Sequence, residues 1–505
     1  MRLIFLKLLA LFAFASLAAC GGGDTAAPAA ATPLPTANPV TTVTAVIPVN
    51  TVTVAPPLPE ETRPHDARTF TAVVTTSTFA PLTLSAVVTD RWTGVFNGSV
   101  YRIEVPQNWN GKLVMWTHGF RGTGASLTAD NPIQRRYLVD NGYAWAASSY
   151  SKNYYDVKAG VEDTNALALN FTKLAADNGR TLAAPSKIFI TGISMGGHIA
   201  VAAIEAEGQA TAISKVKYNG AVPLCAVLGD NELFNYFAGY QVAAQQLANV
   251  PLTKFPTTDF ATVAPLVRSA LWSIFPTASN AQGDKLKNVV MNLSGGDRPF
   301  YKEGWSNEGN QGNIWSALGG DGSINGVLNG NILDTTQLFY KVDVSSPSNT
   351  TVDTAFNAAA FKITPTPDVN RLRRDGLRWI PLTPGDINIP VVSVHTLGDL
   401  FVPFKMQQVY AARVKAKGND KWLVQRAVRD VGHCAFTAAE AITAFDDMVK
   451  WEASGVKPAG DDVSAAATLA APSYGCTFTK NTPSFEDFTA PSIRAAFQAN
   501  YPACP

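Results

Sequence analysis

The chain has 505 residues, of which 46% are hydrophobic and only 16% charged, with a formal net charge of +1. That charge content lies well below the usual value of about 25%, which argues against nucleic acid and other highly charged partners, and the balance fits an exported protein. The length beyond the first 65 residues is more than one typical domain needs and can bury a large core.

In chain order, Met1-Arg2-Leu3 through Lys7 is a short basic region, residues 8–17 are apolar, and Leu17-Ala18-Ala19 places small residues before Cys20. The apolar run is shorter than the roughly 20 residues of a spanning helix, so residues 1–19 are expected to be a cleaved signal and not a permanent anchor. The pattern resembles that of bacterial lipoproteins. The resemblance implies a lipidated Cys20, anchoring in the cell envelope, and, with Gly21 after the cysteine, placement at the outer membrane. Residues 21–65 hold nine prolines among Thr, Ala and Val with few charges. They are expected to form an extended tether reaching at most about 140 Å. The alternative is that residues 40–54 add an edge strand to the domain that follows.

From residue 66 the pattern changes to strand-like runs at 101–105, 113–117, 143–147, 187–191 and 218–224, alternating with helical stretches near 131–141 and 160–178. Alternation of this kind predicts an open, mostly parallel α/β sheet. The 113–117 run leads into His118-Gly119-Phe120 and a glycine-bearing loop. The 187–191 run leads into Gly192-Ile193-Ser194-Met195-Gly196, followed by a small-residue helix. Strand, sharp turn and helix together present Ser194 as a nucleophile, with a serine that merely caps the next helix as the bland alternative. Residues 228–387 interrupt the alternation with aromatic, amphipathic stretches at 233–240 and 261–275. Phe234, Tyr236, Phe237, Tyr240, Trp272 and Phe275 are expected to form the core of a cap. Sheet pattern resumes at 391–395, breaking at Gly398-Asp399. A helix at 405–417 and a strand at 422–428 follow, and the loop Asp430-Val431-Gly432-His433-Cys434 comes next.

Of five histidines, His433 alone follows the last strand, where the base of a nucleophile-elbow protein stands. His65, His118, His198 and His395 have bland readings: a proline-rich segment, a loop-bracing bond, helix packing and a buried strand. Asp399, at the end of the preceding strand, is the expected acid, and Asp430 is its competitor. Backbone N–H groups of Phe120 and Met195 are the expected oxyanion donors. Asp321 does not match a calcium loop, and Arg371-Leu372-Arg373-Arg374 reads as a solvated helix face.

Thr117-His118-Gly119-Phe120, Gly192-Ile193-Ser194-Met195-Gly196-Gly197, Asp399-Leu400-Phe401-Val402-Pro403 and Gly432-His433-Cys434 resemble the α/β-hydrolase superfamily, in its secreted bacterial esterase and depolymerase-like branch. The resemblance implies an eight-stranded, mostly parallel sheet with helices on both faces, acyl transfer through a serine ester, and no metal or cofactor. Residues 66–227 and 388–459 are then the catalytic unit, 228–387 the cap and 460–505 a C-terminal extension. A small or polymer-derived carboxylic ester is the expected substrate. A peptidase or amidase with the same three residues is a second reading, and a noncatalytic binding lipoprotein a third. With Cys20 lipidated, Cys225, Cys434, Cys476 and Cys504 remain, an even number for an oxidising compartment. Three pairings are open. Cys225–Cys434 with Cys476–Cys504 is favoured because the first bridge braces the histidine loop.

Overall fold

The computed structural model of the chain describes residues 69–252, 260–317, 333–365, 377–481 and 503–504. The signal and tether segments with Cys20 and His65 lie outside these residues, as do Asp321 and the 371–374 arginine cluster. The principal sheet has eight strands: β1 (Thr89–Phe96), β2 (Ser99–Pro106), β3 (Lys112–Thr117), β4 (Ala144–Ser148), β5 (Lys187–Ile193), β6 (Gly220–Leu224), β7 (Val391–Thr396) and β8 (Leu423–Val428). Their spatial order is β8-β7-β6-β5-β3-β4-β2-β1. Only β2 runs against its neighbours, pairing antiparallel with both β1 and β4. The remaining pairs are parallel.

Strand residues alternate between the two faces, and both faces are apolar, as a doubly covered sheet requires. In β3, Leu113 and Met115 join the larger core while Val114 and Trp116 enter the smaller one. The nine helices that carry the description are α1 (Arg135–Asp140), α2 (Val157–Leu169), α3 (Met195–Ile204), α4 (Glu232–Leu247), α5 (Ala281–Leu293), α6 (Tyr301–Trp305), α7 (Glu308–Ala317), α8 (Lys405–Ala416) and α9 (Ala438–Ser454). Buried residues of α2, α3, α4 and α8 cover one face, and those of α1 and α9 the other. Helix α9 opens on a reciprocal Thr437–Glu440 capping box and stops at Gly455 in the left-handed region. Both signals are local and set its bounds.

One strand of the principal sheet was not foreseen, and neither were two short two-stranded pairs, Thr71–Ala72 with Ser126–Leu127 and Trp272–Ile274 with Ala278–Ser279, the latter beginning inside the 261–275 stretch that reads as helical. β1 reads Thr-Asp-Arg-Trp-Thr-Gly-Val-Phe and is half exposed along most of its length. An edge strand with so few apolar side chains gives little periodic signal. At the opposite edge β8 is covered: Asp461 accepts from the Ala427 amide at 2.8 Å and its own amide donates to Gln425 O at 2.7 Å. The C-terminal stretch thus blunts an otherwise open edge.

The segment between β6 and β7 does not keep a core of its own. Phe234, Tyr236, Phe237, Tyr240 and Trp272 are buried in the same cluster as the sheet residues Ile103, Met115, Ile190 and Ala221, with Phe275 packed against it. The expected separate cap core is therefore continuous with the sheet's, because α4 leaves β6 with its apolar side already turned onto the sheet-covering helices. Cys225–Cys434 and Cys476–Cys504 are both disulfide-bonded. Such bonds persist in oxidising surroundings, so the protein is an extracytoplasmic one. Among the described residues, no helix is long and apolar enough to cross a membrane.

Candidate active site

Ser194 occupies the turn between β5 and α3 with φ 56° and ψ −124°. The strain sits on the serine itself and not on the flanking glycines. Gly196 is needed for a different reason: a side-chain carbon there would collide with the carbonyls of Thr117 and His118, so the elbow packs directly on the end of β3. Ser194 makes no side-chain capping bond to α3. Its hydroxyl instead donates to His433 Nε2 at 2.8 Å.

His433 lies in the loop after β8, and its Nδ1–H donates to Asp399 Oδ2 at 2.6 Å. Asp399, after β7, is fully buried. Its other oxygen accepts from the amides of Phe401 and Val402 at 2.9 and 3.0 Å. Both carboxylate oxygens are therefore engaged, and the group is fixed in orientation. Asp430, the competing acid, turns away from the imidazole: its Oδ1 accepts from the Gly432 amide at 3.0 Å, closing the turn that carries His433. Thr396 tightens the same turn by donating to Gly432 O at 2.8 Å.

The loop after β3 lies over the serine. A side-chain carbon at Gly119 would come within 3.1 Å of Ser194 Cβ and 3.7 Å of Oγ, so the Phe120 amide belongs to the chain segment facing the nucleophile. Met195 opens α3, and first-turn N–H groups have no acceptor within their helix. Both groups lie on segments that border Ser194.

Burial disfavours the charged form of each of the other described histidines. Burial pushes the His118 imidazole down to about 3. Its Nδ1–H donates to Gly119 O at 2.7 Å, and its ring stacks on Tyr150 with centroids 4.0 Å apart. Burial lowers His198 as well, which accepts from the Tyr155 hydroxyl and donates to Pro381 O. His395 is pushed by burial down to about 4 and donates to Val402 O at 2.8 Å, lying 3.7 Å from Asp399 Oδ2.

Aromatic and sulfur neighbours complete the site, and of these only Tyr150 carried no sequence signal. Phe401 meets the His433 ring edge to face at 5.3 Å and is itself stacked on Phe237 of α4. Tyr150 donates to His118 O at 3.0 Å. Cys434 Sγ lies 3.3 Å from His433 Nε2. Cys225, His433 and Cys434 cluster as metal ligands do, but the two sulfurs are bonded to each other and offer no thiolate. The chemistry that the site supports is that of a serine hydrolase: a hydroxyl, an imidazole to take its proton, and a carboxylate to hold the imidazolium.

No family model matches the chain. Over 422 residues it is 24% identical to an o-phthalyl amidase of Xanthobacter agilis, a match covering 74% of this chain and 89% of that one. Among solved structures, feruloyl esterase B of Aspergillus oryzae superposes with a TM-score of 0.42 at 14% identity, over 75% of this chain and 83% of that one. An acylaminoacyl peptidase of Pyrococcus horikoshii gives 0.34 at 10% identity, over 75% and 44%. At such TM-scores neither likeness adds to what the strand order says. Serine, acid and histidine follow the fifth, seventh and eighth strands of a sheet whose only reversed strand is the second, which is the arrangement of the α/β-hydrolase fold.

Proposed function

We propose that the protein is an envelope-tethered carboxylic ester hydrolase that works through an acyl-enzyme on Ser194. The observation that carries this reading is the unbroken relay from Ser194 Oγ through His433 to Asp399, with contacts of 2.8 and 2.6 Å. His433 removes the serine proton as the hydroxyl attacks the acyl carbon. The amides of Phe120 and Met195 hold the oxyanion, and the imidazolium returns its proton to the departing alcohol. Water, activated by the same imidazole, then releases the acid. Tethering through a lipid on Cys20 keeps the enzyme at the surface where polymeric or bulky esters arrive.

Amide cleavage is the second reading, and the similarity to an amidase along most of both chains favours it. The same residues serve, with His433 protonating an amine in place of an alcohol. Paired substrates decide: a p-nitrophenyl ester and the p-nitroanilide of the same acyl group, offered to the mature protein and to Ser194→Ala. The ester is expected to turn over with no measurable cleavage of the anilide, and Ser194→Ala is expected to lose kcat by about 10⁶-fold. Because the ester is intrinsically the more reactive, Ser194-dependent turnover of the anilide establishes the amidase reading, whereas equal rates with and without Ser194 discard both.

A further inference from the structure

The segment inserted between β6 and β7 reaches the two loops that carry the acid and the histidine. Its helix α6 brings Gly304 so close to Gly398 that a side-chain carbon on the former would strike the latter's carbonyl. From α7, the buried Asn310 points its Nδ2 at three carbonyls: Val431 at 2.8 Å, Gly398 at 2.9 Å and Gly304 at 3.1 Å. Three acceptors around one atom require a donor there, so the amide nitrogen and not the amide oxygen faces them. Gly398 immediately precedes Asp399, and Val431 is two residues before His433. One side chain therefore bridges both loops. Arg298, also from the insertion, fastens the same acid loop by donating to Leu397 O at 2.7 Å.

We propose that Asn310 is a positioning residue: by joining the carbonyls of Gly398 and Val431 it sets the separation of the two loops, and with it the bond from His433 Nδ1 to Asp399 Oδ2. The proposal rests on the serine-hydrolase reading for its catalytic meaning. Without the amide, the carbonyls of Gly304, Gly398 and Val431 lose the donor they share, and relieving that loss spreads the loops. A shift of the imidazole by even a fraction of an ångström weakens proton transfer from Ser194 while leaving the acyl-binding surface intact. The insertion thus takes part in building the relay as well as in covering it.

The test compares the mature wild type with Asn310→Ala, Asn310→Ser and Asn310→Asp, each checked for folding by circular dichroism. Asn310→Ala is expected to lower kcat on a p-nitrophenyl ester by roughly 10- to 100-fold with KM little changed. The low-field proton resonance of His433 Nδ1–H is expected to move or broaden with it. Asn310→Ser keeps one donor and restores part of both. Asn310→Asp has the right shape but the wrong hydrogen-bonding sense, so it falls at least as far as Ala; a role in packing alone would make it the mildest of the three. A folded Asn310→Ala with wild-type kcat and an unmoved resonance overturns the proposal. Should Asn310→Ala not fold, an unmoved resonance in a folded Asn310→Asp does the same. If the wild type turns over neither ester nor amide, the hydrolase reading fails, and the resonance still decides whether Asn310 positions the pair.

Discussion

Four side chains around the nucleophile hold backbone conformations that residues other than glycine seldom adopt: Tyr150, Ser194, Cys225 and Cys434 all have φ between 44° and 59°. Strain gathered in this way persists only where the surroundings over-determine it. At Ser194 it lifts the hydroxyl out of the helix cap and onto His433. Asp399→Asn keeps the shape but disrupts the imidazole's tautomer, so kcat is expected to fall by about 10⁴-fold, with burst kinetics showing acylation as the slowed step. Tyr150→Phe leaves the stack on His118 and removes only the bond to His118 O. A loss of about tenfold in kcat is expected, less than the 10² to 10³ of a missing oxyanion donor. Unchanged turnover would show that the loop is held without that bond. Ser194 and His433 were legible from the elbow motif and from chain order. Asp399 was the acid expected from the strand end that precedes it, with Asp430 as competitor, and the hydrogen-bond directions separate the two: Asp399 faces the imidazole while Asp430 accepts from the Gly432 amide.

The elements were legible where local chemistry sets them. The 405–417 helical pattern closed by Gly418 became α8 at Lys405–Ala416, and seven strands stood close to their apolar runs. β1 escaped because it is polar and lies at an edge. How elements lock together was not legible. Glu205, at the C-terminal end of α3, accepts from the Gly385 and Asp386 amides and from the Tyr410 hydroxyl of α8. It thereby joins the elbow helix, the chain's return to the sheet, and α8. Burial pushes its carboxyl from 4.5 up to about 7. The native state then holds the proton more tightly than the unfolded chain does. Its contribution to stability is complete below about 4.5 and is lost as pH climbs to about 7. Glu205→Gln cannot titrate, so urea midpoints measured across that window should slope less than those of the wild type. An equal slope would assign the pH dependence elsewhere.

Across the whole molecule, the bridge from Cys225 to Cys434 closes a sequence separation of 209 residues, joining the end of β6 to the histidine loop. A loop that long constrains the unfolded chain strongly. The paired change Cys225→Ala with Cys434→Ala is expected to cost about 2–5 kcal/mol in unfolding free energy and to lower kcat through a looser His433. If calorimetry shows an unchanged melting temperature, the bridge has no such role. The sequence alone determined the α/β architecture, the serine on its turn and the histidine after the last strand. Those depend on hydrophobic period, turn chemistry and chain order, all readable over a few residues. Only the tertiary structure decided that the insertion shares the sheet's core, and that Asn310 reaches the loops before Asp399 and His433. Contacts between residues some ninety to a hundred and twenty positions apart arise from how packed elements meet, and a single asparagine in a helix bears no local mark of the carbonyls it will face.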